Sequence, residues 1–169
     1  VLYFIERSYP QSINIGEKIL ESKPENLPIR EIVAVSYKNV GAVKEALGQF
    51  EELFKATQDL YFLYEVASMQ YSLKRFGECI NSCDAILNSE QSKEMKVNIT
   101  INQQNSQEVI LAAAVLNMKG FIALEVNQPD VARQNFEAAL EVDPEFVLPK
   151  ANLKEMEKMA KEGSPTDEE

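Results

Sequence analysis

The plainest hydrophobic pattern in the chain runs from Leu116 to Pro144. Leu116, Gly120, Ala123 and Leu124 share one side of a first helical projection. Ala132, Phe136, Ala139 and Leu140 share one side of a second, at spacings of four, three and one. These are helix spacings, not strand spacings. Asn127-Gln128-Pro129-Asp130 separates the two, and Pro129 suits a first helical turn. Asp143-Pro144 ends the second, because proline removes a donor and disfavours helix in the residue before it. Small residues at Gly120, Ala132 and Ala139 let two helix backbones approach closely. The same two-helix rhythm recurs upstream. Residues 27–58 carry Ala34 and Tyr37, a turn at Gly41, then Ala46, Phe50 and Leu53. Residues 59–88 carry Leu63, Val66 and Ala67, a turn aromatic at Phe76, then Cys79 and Cys83. Residues 1–26 read as a unit without its front, with Tyr3, Tyr9, Ser12, Ile19 and Leu20 closed by Pro24. Ser12 and Ala46 lie 34 residues apart, so these units keep step.

In that frame the order Gly120, Ala132, Phe136, Ala139, Pro144 resembles a tetratricopeptide repeat, a 34-residue helix–turn–helix unit. Leu116 stands where the family usually has Trp, and Ala123 where it usually has Tyr. Gly16 stands where Phe is expected, which implies either loose packing or a close neighbour. Gly48 lies inside a helix, costs about 1 kcal/mol relative to Ala, and has no evident reason in the sequence. The resemblance implies an all-α fold: a right-handed superhelical stack of about nine helices in antiparallel pairs, with a shallow concave groove. The expected organisation is a single domain over residues 1–161, with units at about 1–26, 27–58, 59–88 and 113–146. A capping helix follows over 147–161, charged on most sides as the end of a solenoid requires. Residues 162–169 are expected to form a disordered acidic tail.

Between Cys79 and Ala132 the rhythm slips by some 19 or 20 residues beyond one repeat, which marks an insertion at about 89–107. Lys96 to Asn102 alternates like a strand, with Val97, Ile99 and Ile101 on one side. A single strand has no pairing partner in a helical stack. A small hairpin, an extended segment lying against the stack, and a mobile loop all fit the pattern. Asn98-Ile99-Thr100 forms a glycosylation sequon that chance explains well. Asn105 followed by Glu108 fits a capping box, so the next helix is expected to start near Ser106 and run to Val126, longer than its counterparts. The apolar run Val109–Leu116 reads as part of it. The insertion is expected to be the least protected internal segment, and its deletion is expected to leave the stack folded.

Composition narrows the chemistry. The chain has 169 residues, 45% of them hydrophobic, and no His. That removes the commonest general base and metal ligand together. Ser and Cys lack a base, and the six glycines form no phosphate loop. Cys79 and Cys83 lie four apart on a buried helix face. They read as small buried hydrophobes, expected to be reduced and slow to react, because no further Cys or His exists to complete a zinc site. No enzyme, cofactor or metal is expected. A net charge of −10 argues against a nucleic-acid partner. No apolar run is long enough to enter and span a membrane. The chain begins at Val1, so targeting and compartment are not readable, and a larger upstream part is compatible with it.

The default function of the resembled fold is to hold a peptide or an extended protein segment in the groove. The chaperone-tail subclass clamps a carboxylate with Asn, Lys and Arg. Its clamp sites fall here on Glu31, Val35, Glu65, Ala114 and Met118, and none matches. On the helix from Asp59 to Leu73, Tyr61, Tyr64, Ser68 and Tyr71 recur at three, four and three and share one face. The expected peptide-binding strip is Tyr61, Tyr64, Glu65, Ser68 and Tyr71, joined by Asn117 and Phe121 from the next first helix. Such a strip suits apolar or basic segments. The competing classes are a self-associating scaffold, stacked end to end or dimerised through the insertion, and a non-catalytic part of a larger protein.

Overall fold

The computed structural model describes residues 8–162, without the side chain of Glu162. Tyr3 and the acidic tail, both singled out above, lie outside the described residues. The chain divides into two compact units, Val1–Asp84 and Ala85–Glu169.

The first unit holds α1 (Tyr9–Ser22), α2 (Leu27–Asn39), α3 (Val43–Thr57), α4 (Leu60–Ser72) and most of α5 (Phe76–Leu87). Two of the starts are capped by side chains. Asn26 accepts the Ile29 N–H at 3.2 Å to cap α2, with Pro28 in its first turn. Asp59 accepts the Tyr61 N–H at 2.9 Å to cap α4. Packing runs α1 on α2, α2 on α3 and α3 on α4. Its core is Val33, Ala34, Ala46, Phe50, Leu53, Leu63, Val66 and Ala67. Gly16 explains the α1–α2 contact: a Cβ there would lie 2.3 Å from Val33 Cγ2. Of the two alternatives, the close neighbour holds. Gly48 has open space above it, so its cost stays without a packing reason.

The second unit holds the end of α5, a 3-10 turn at Glu90–Lys93, β1 (Lys96–Thr100), β2 (Ser106–Ile110), α6 (Leu111–Glu125), α7 (Pro129–Val142) and α8 (Val147–Glu162). Helix α6 packs on α7, and α7 on α8. Gly120 makes the first contact possible, because a Cβ there would meet Phe136 Cε1 at 2.4 Å. The described residues thus contain eight α-helices and one two-stranded sheet, and the fold is all-α in class.

The insertion takes the small-hairpin alternative, but its second half departs from expectation. Ser106–Ile110 is a strand, not the opening of a helix, and pairs antiparallel with Lys96–Thr100. Val97 and Val109 face each other and are both buried, so period-two alternation overrides the capping-box signal. Asn105 instead belongs to the turn, where Asn102 Oδ1 accepts the N–H groups of Gln104 and Asn105, each at 3.0 Å. Helix α6 therefore has 15 residues, no more than α3, and the run Val109–Leu116 crosses a strand–helix boundary. Gln107 donates to Glu145 O at 2.7 Å and accepts from Val147 N at 3.0 Å, stitching β2 to the α7–α8 connection. Leu124, grouped above with the core side of α6, is 39% exposed and lines an open cleft of about 440 Å³ with Pro129, Arg133, Met156 and Met159.

Candidate functional site

Helix α4 carries five of the seven expected site residues. From Leu60 to Gln70 every position is buried except Tyr61, Tyr64 and Ser68, and Tyr71 continues the half-buried line. The apolar positions surround the helix and spend it on packing, which leaves this strip as its one accessible face. Tyr61 packs edge-on against Phe62 with ring centroids 5.5 Å apart. Tyr71 leans on Phe76 at 5.9 Å. Ser68 Oγ donates to Tyr64 O at 3.0 Å, turning its hydroxyl inward along the helix.

Glu65 differs from the expectation that it stands open beside the strip. It is 4% exposed, and Lys38 Nζ donates to both of its carboxylate oxygens at 2.8 and 2.6 Å. Lys38 is the residue that sequence reasoning missed. It lies 27 positions away in α2 and has no motif around it. Burial raises the Tyr61 hydroxyl to about 12, with the Glu65 carboxylate, to which it hydrogen-bonds, as the next cause. Burial first, and Glu65 second, also push Tyr64 well above the usual phenol range. Tyr37 is raised to about 12 by burial and by its hydrogen bond to Glu17. Two phenols of the strip, Tyr61 and Tyr64, thus hold their protons above the usual range, beside an ion pair of buried Glu65 with half-exposed Lys38.

Asn117 and Phe121 belong to the second unit, on α6. Asn117 is 5% exposed, and its Oδ1 has no hydrogen-bond partner among the described residues. Asn152 Nδ2 on α8 is likewise buried and unpaired. A buried amide oxygen without a partner costs stability. Phe121 is half-buried and packs edge-on to Phe136 at 5.7 Å, against a cluster that Leu153 and Met156 also join. It serves the core in part.

Cys79 and Cys83 are fully buried, and Cys79 Sγ donates to Ala67 O at 3.2 Å. The hydrogen bond with Cys83 holds the Cys79 thiol below the usual range, while burial acts the other way. Among the described residues no group of three or more His, Cys, Asp or Glu could hold a metal ion. No described helix is long and apolar enough to cross a membrane.

No family model matches the chain, and no curated protein matches it. Solved structures do. The chain is similar to MamA, with 13% identity and a TM-score of 0.67 over 87% of this chain and 75% of that one. A tetratricopeptide repeat protein from Parabacteroides merdae ATCC 43184 matches at 15% identity and a TM-score of 0.70, over 95% of this chain and 57% of that one. A chain of the APC/C hetero-tetramer Cut9–Hcn1 matches at 17% identity and a TM-score of 0.57, over 85% of this chain and 25% of that one. At these identities the likeness defines the fold: the chain has the tetratricopeptide-repeat fold, an all-α helical repeat stack.

Proposed function

We propose that the chain is a protein-interaction module that binds an extended segment of a protein partner and does no catalysis on it. The observation that carries this reading is the accessible strip Tyr61, Tyr64, Ser68 and Tyr71 on an otherwise buried helix. Aromatic rings with protonated hydroxyls offer apolar surface and hydrogen bonds together, at little entropic cost because each ring is already packed. A net charge of −10 favours basic segments through the field of the whole chain. Glu65 adds little to that preference, because Lys38 already neutralises it. In the second unit, the half-buried ring of Phe121 would offer apolar surface to a bound segment, beside the buried Asn117. Cut9–Hcn1, a fold neighbour, is a hetero-tetramer, in keeping with a role in assembly.

The test is selection of binders from a displayed library of unstructured peptides. Tyr61→Ala and Tyr64→Ala should each weaken the selected peptides about tenfold or more, the effect of a lost aromatic anchor, with circular dichroism unchanged. Phe121→Ala should weaken binding and also lower stability, since Phe121 packs on Phe136. If the tyrosine variants hold every selected peptide as tightly as the parent, the strip is not the site.

A further inference from the structure

The hairpin offers a surface that the groove reading does not use. β1 and β2 pair from Lys96↔Ile110 to Thr100↔Ser106. Just beyond the strands, Leu111 N–H donates to Met95 O and Ile101 N–H donates to Asn105 O. Hydrogen-bonded and non-bonded pairs alternate along an antiparallel ladder. Val97 and Ile99 therefore direct their N–H and C=O groups to β2, whereas Lys96, Asn98 and Thr100 direct theirs to the outer edge. On β2 the same alternation turns the Ile110 N–H outward, where Asp143 Oδ2 accepts it at 3.1 Å. The β1 edge has no such cover among the described residues: Lys96, Asn98 and Thr100 are all exposed, and no protein group bonds their main chain.

Main-chain groups at this spacing are met by another extended strand. We propose that the occupant is β1 of a second copy of this chain, paired antiparallel about a two-fold axis through Asn98. The outward-facing set Lys96, Asn98, Thr100 is symmetric about Asn98, so one register satisfies all of it. Asn98 bonds the partner's Asn98, and Lys96 bonds the partner's Thr100 in both directions. Lys96 then faces a hydroxyl instead of a like charge, and Glu108 at 3.1 Å already offsets its own charge. On the core-facing side this register sets the half-exposed Ile99 opposite the partner's Val97, a β-branched pair of the kind that stabilises sheets. The contact is isologous and closes at two. It is also small, below the roughly 1,000 Å² of a strong interface, and each copy carries −10. The dimer is accordingly weak and favoured by salt.

The test is sedimentation equilibrium of the full chain from the micromolar to the millimolar range, at low and high salt. The mass should rise from 19.1 kDa toward twice that value, with new hydrogen-exchange protection at the Asn98 and Thr100 amides. Asn98→Pro removes only an N–H that the hairpin does not use, so it should abolish association and keep the helical spectrum. Asn98→Glu and Asn98→Lys should each lower association at least tenfold by placing like charges face to face, and mixing the two should restore it as a heterodimer. These two exposed substitutions keep the test decisive even if the proline variant unfolds. A monomer at every concentration overturns the proposal. So does a dimer that survives Asn98→Pro, a pair of charge variants that fails to rescue, or an edge that captures unrelated extended peptides but never its own copy.

Discussion

Helices α4 and α6 are each buried on nearly every side, yet they end up with opposite surfaces. In α4 the buried polar groups are satisfied: Lys38 holds Glu65, and Ser82 Oγ donates to Gln70 Oε1 at 2.8 Å. Its accessible remainder is a line of phenols. In α6 the first turns, Leu111 to Val115, are wholly buried, and β1, β2 and the 3-10 turn all pack against this helix. There Asn117 Oδ1 is buried without a partner among the described residues. Two helices of one fold can thus divide the work. One is internally neutralised and presents a half-buried strip of phenols, while the other relies on an inserted cover.

The strongest way to break this comparison is to remove the cover. Excising residues 96–110 behind a short Gly-Ser link should destabilise the second unit by about 5 kcal/mol. Val97 and Val109 each contribute about 1.5–3 kcal/mol of burial, and the two Gln107 bonds about 1 kcal/mol each. Urea unfolding should show a lower midpoint and a broadened or split transition. An unchanged midpoint would mean that Leu111–Val115 do not need the hairpin. A smaller loss is expected from α4. Lys38→Ala leaves Glu65 buried without its cation, held only by the Tyr61 hydroxyl. Breaking a buried pair typically costs 3–5 kcal/mol, but Lys38 is 41% exposed and the pair is partly screened, so about 2 kcal/mol is expected. Replacing both partners with Met should recover most of it.

The helix pairs could be read from sequence because their information is local and periodic. Gly120 with Phe136, and Ala46 with Phe50, sit at fixed offsets that only close helix packing explains. Two kinds of feature escaped. Ser106–Ile110 carries both a capping-box pattern and a strand pattern, and what decided between them was pairing with Lys96–Thr100, a relation no local window contains. The Lys38–Glu65 pair spans two helices, and nothing near Lys38 distinguishes it from a solvated surface charge. The tyrosine spacing was visible, but its exposure follows only once the other sides of α4 are seen to be buried. The pH dependence of stability reports on that environment. Tyr61 and Tyr37 are raised from 10.0 to about 12. Below pH 10 both states keep these protons and nothing changes. Between pH 10 and 12 the unfolded chain releases them while the folded chain holds them, so stability should fall as pH rises through that window. Urea midpoints stepped across it, with ultraviolet titration of the phenols, measure the effect, and Tyr61→Phe should flatten part of the slope. A slope identical in Tyr61→Phe would place Tyr61 in open solvent.

The smallest expected effect separates the two helices most directly. Gln70 and Asn117 are both amides buried on first helices, but Gln70 Oε1 accepts from Ser82 while Asn117 Oδ1 has no donor among the described residues. Removing a paired amide forfeits its bond and leaves the Ser82 hydroxyl without its acceptor, so Gln70→Leu should cost about 1–2 kcal/mol. Removing an unpaired one relieves a desolvation penalty. Asn117→Leu, close in volume, should therefore be neutral or stabilising by up to about 1 kcal/mol. Thermal and urea unfolding of the two variants give both signs at once. If Asn117→Leu destabilises as much as Gln70→Leu, the acceptor is already satisfied in solution, and the contrast between the helices is one of exposure alone.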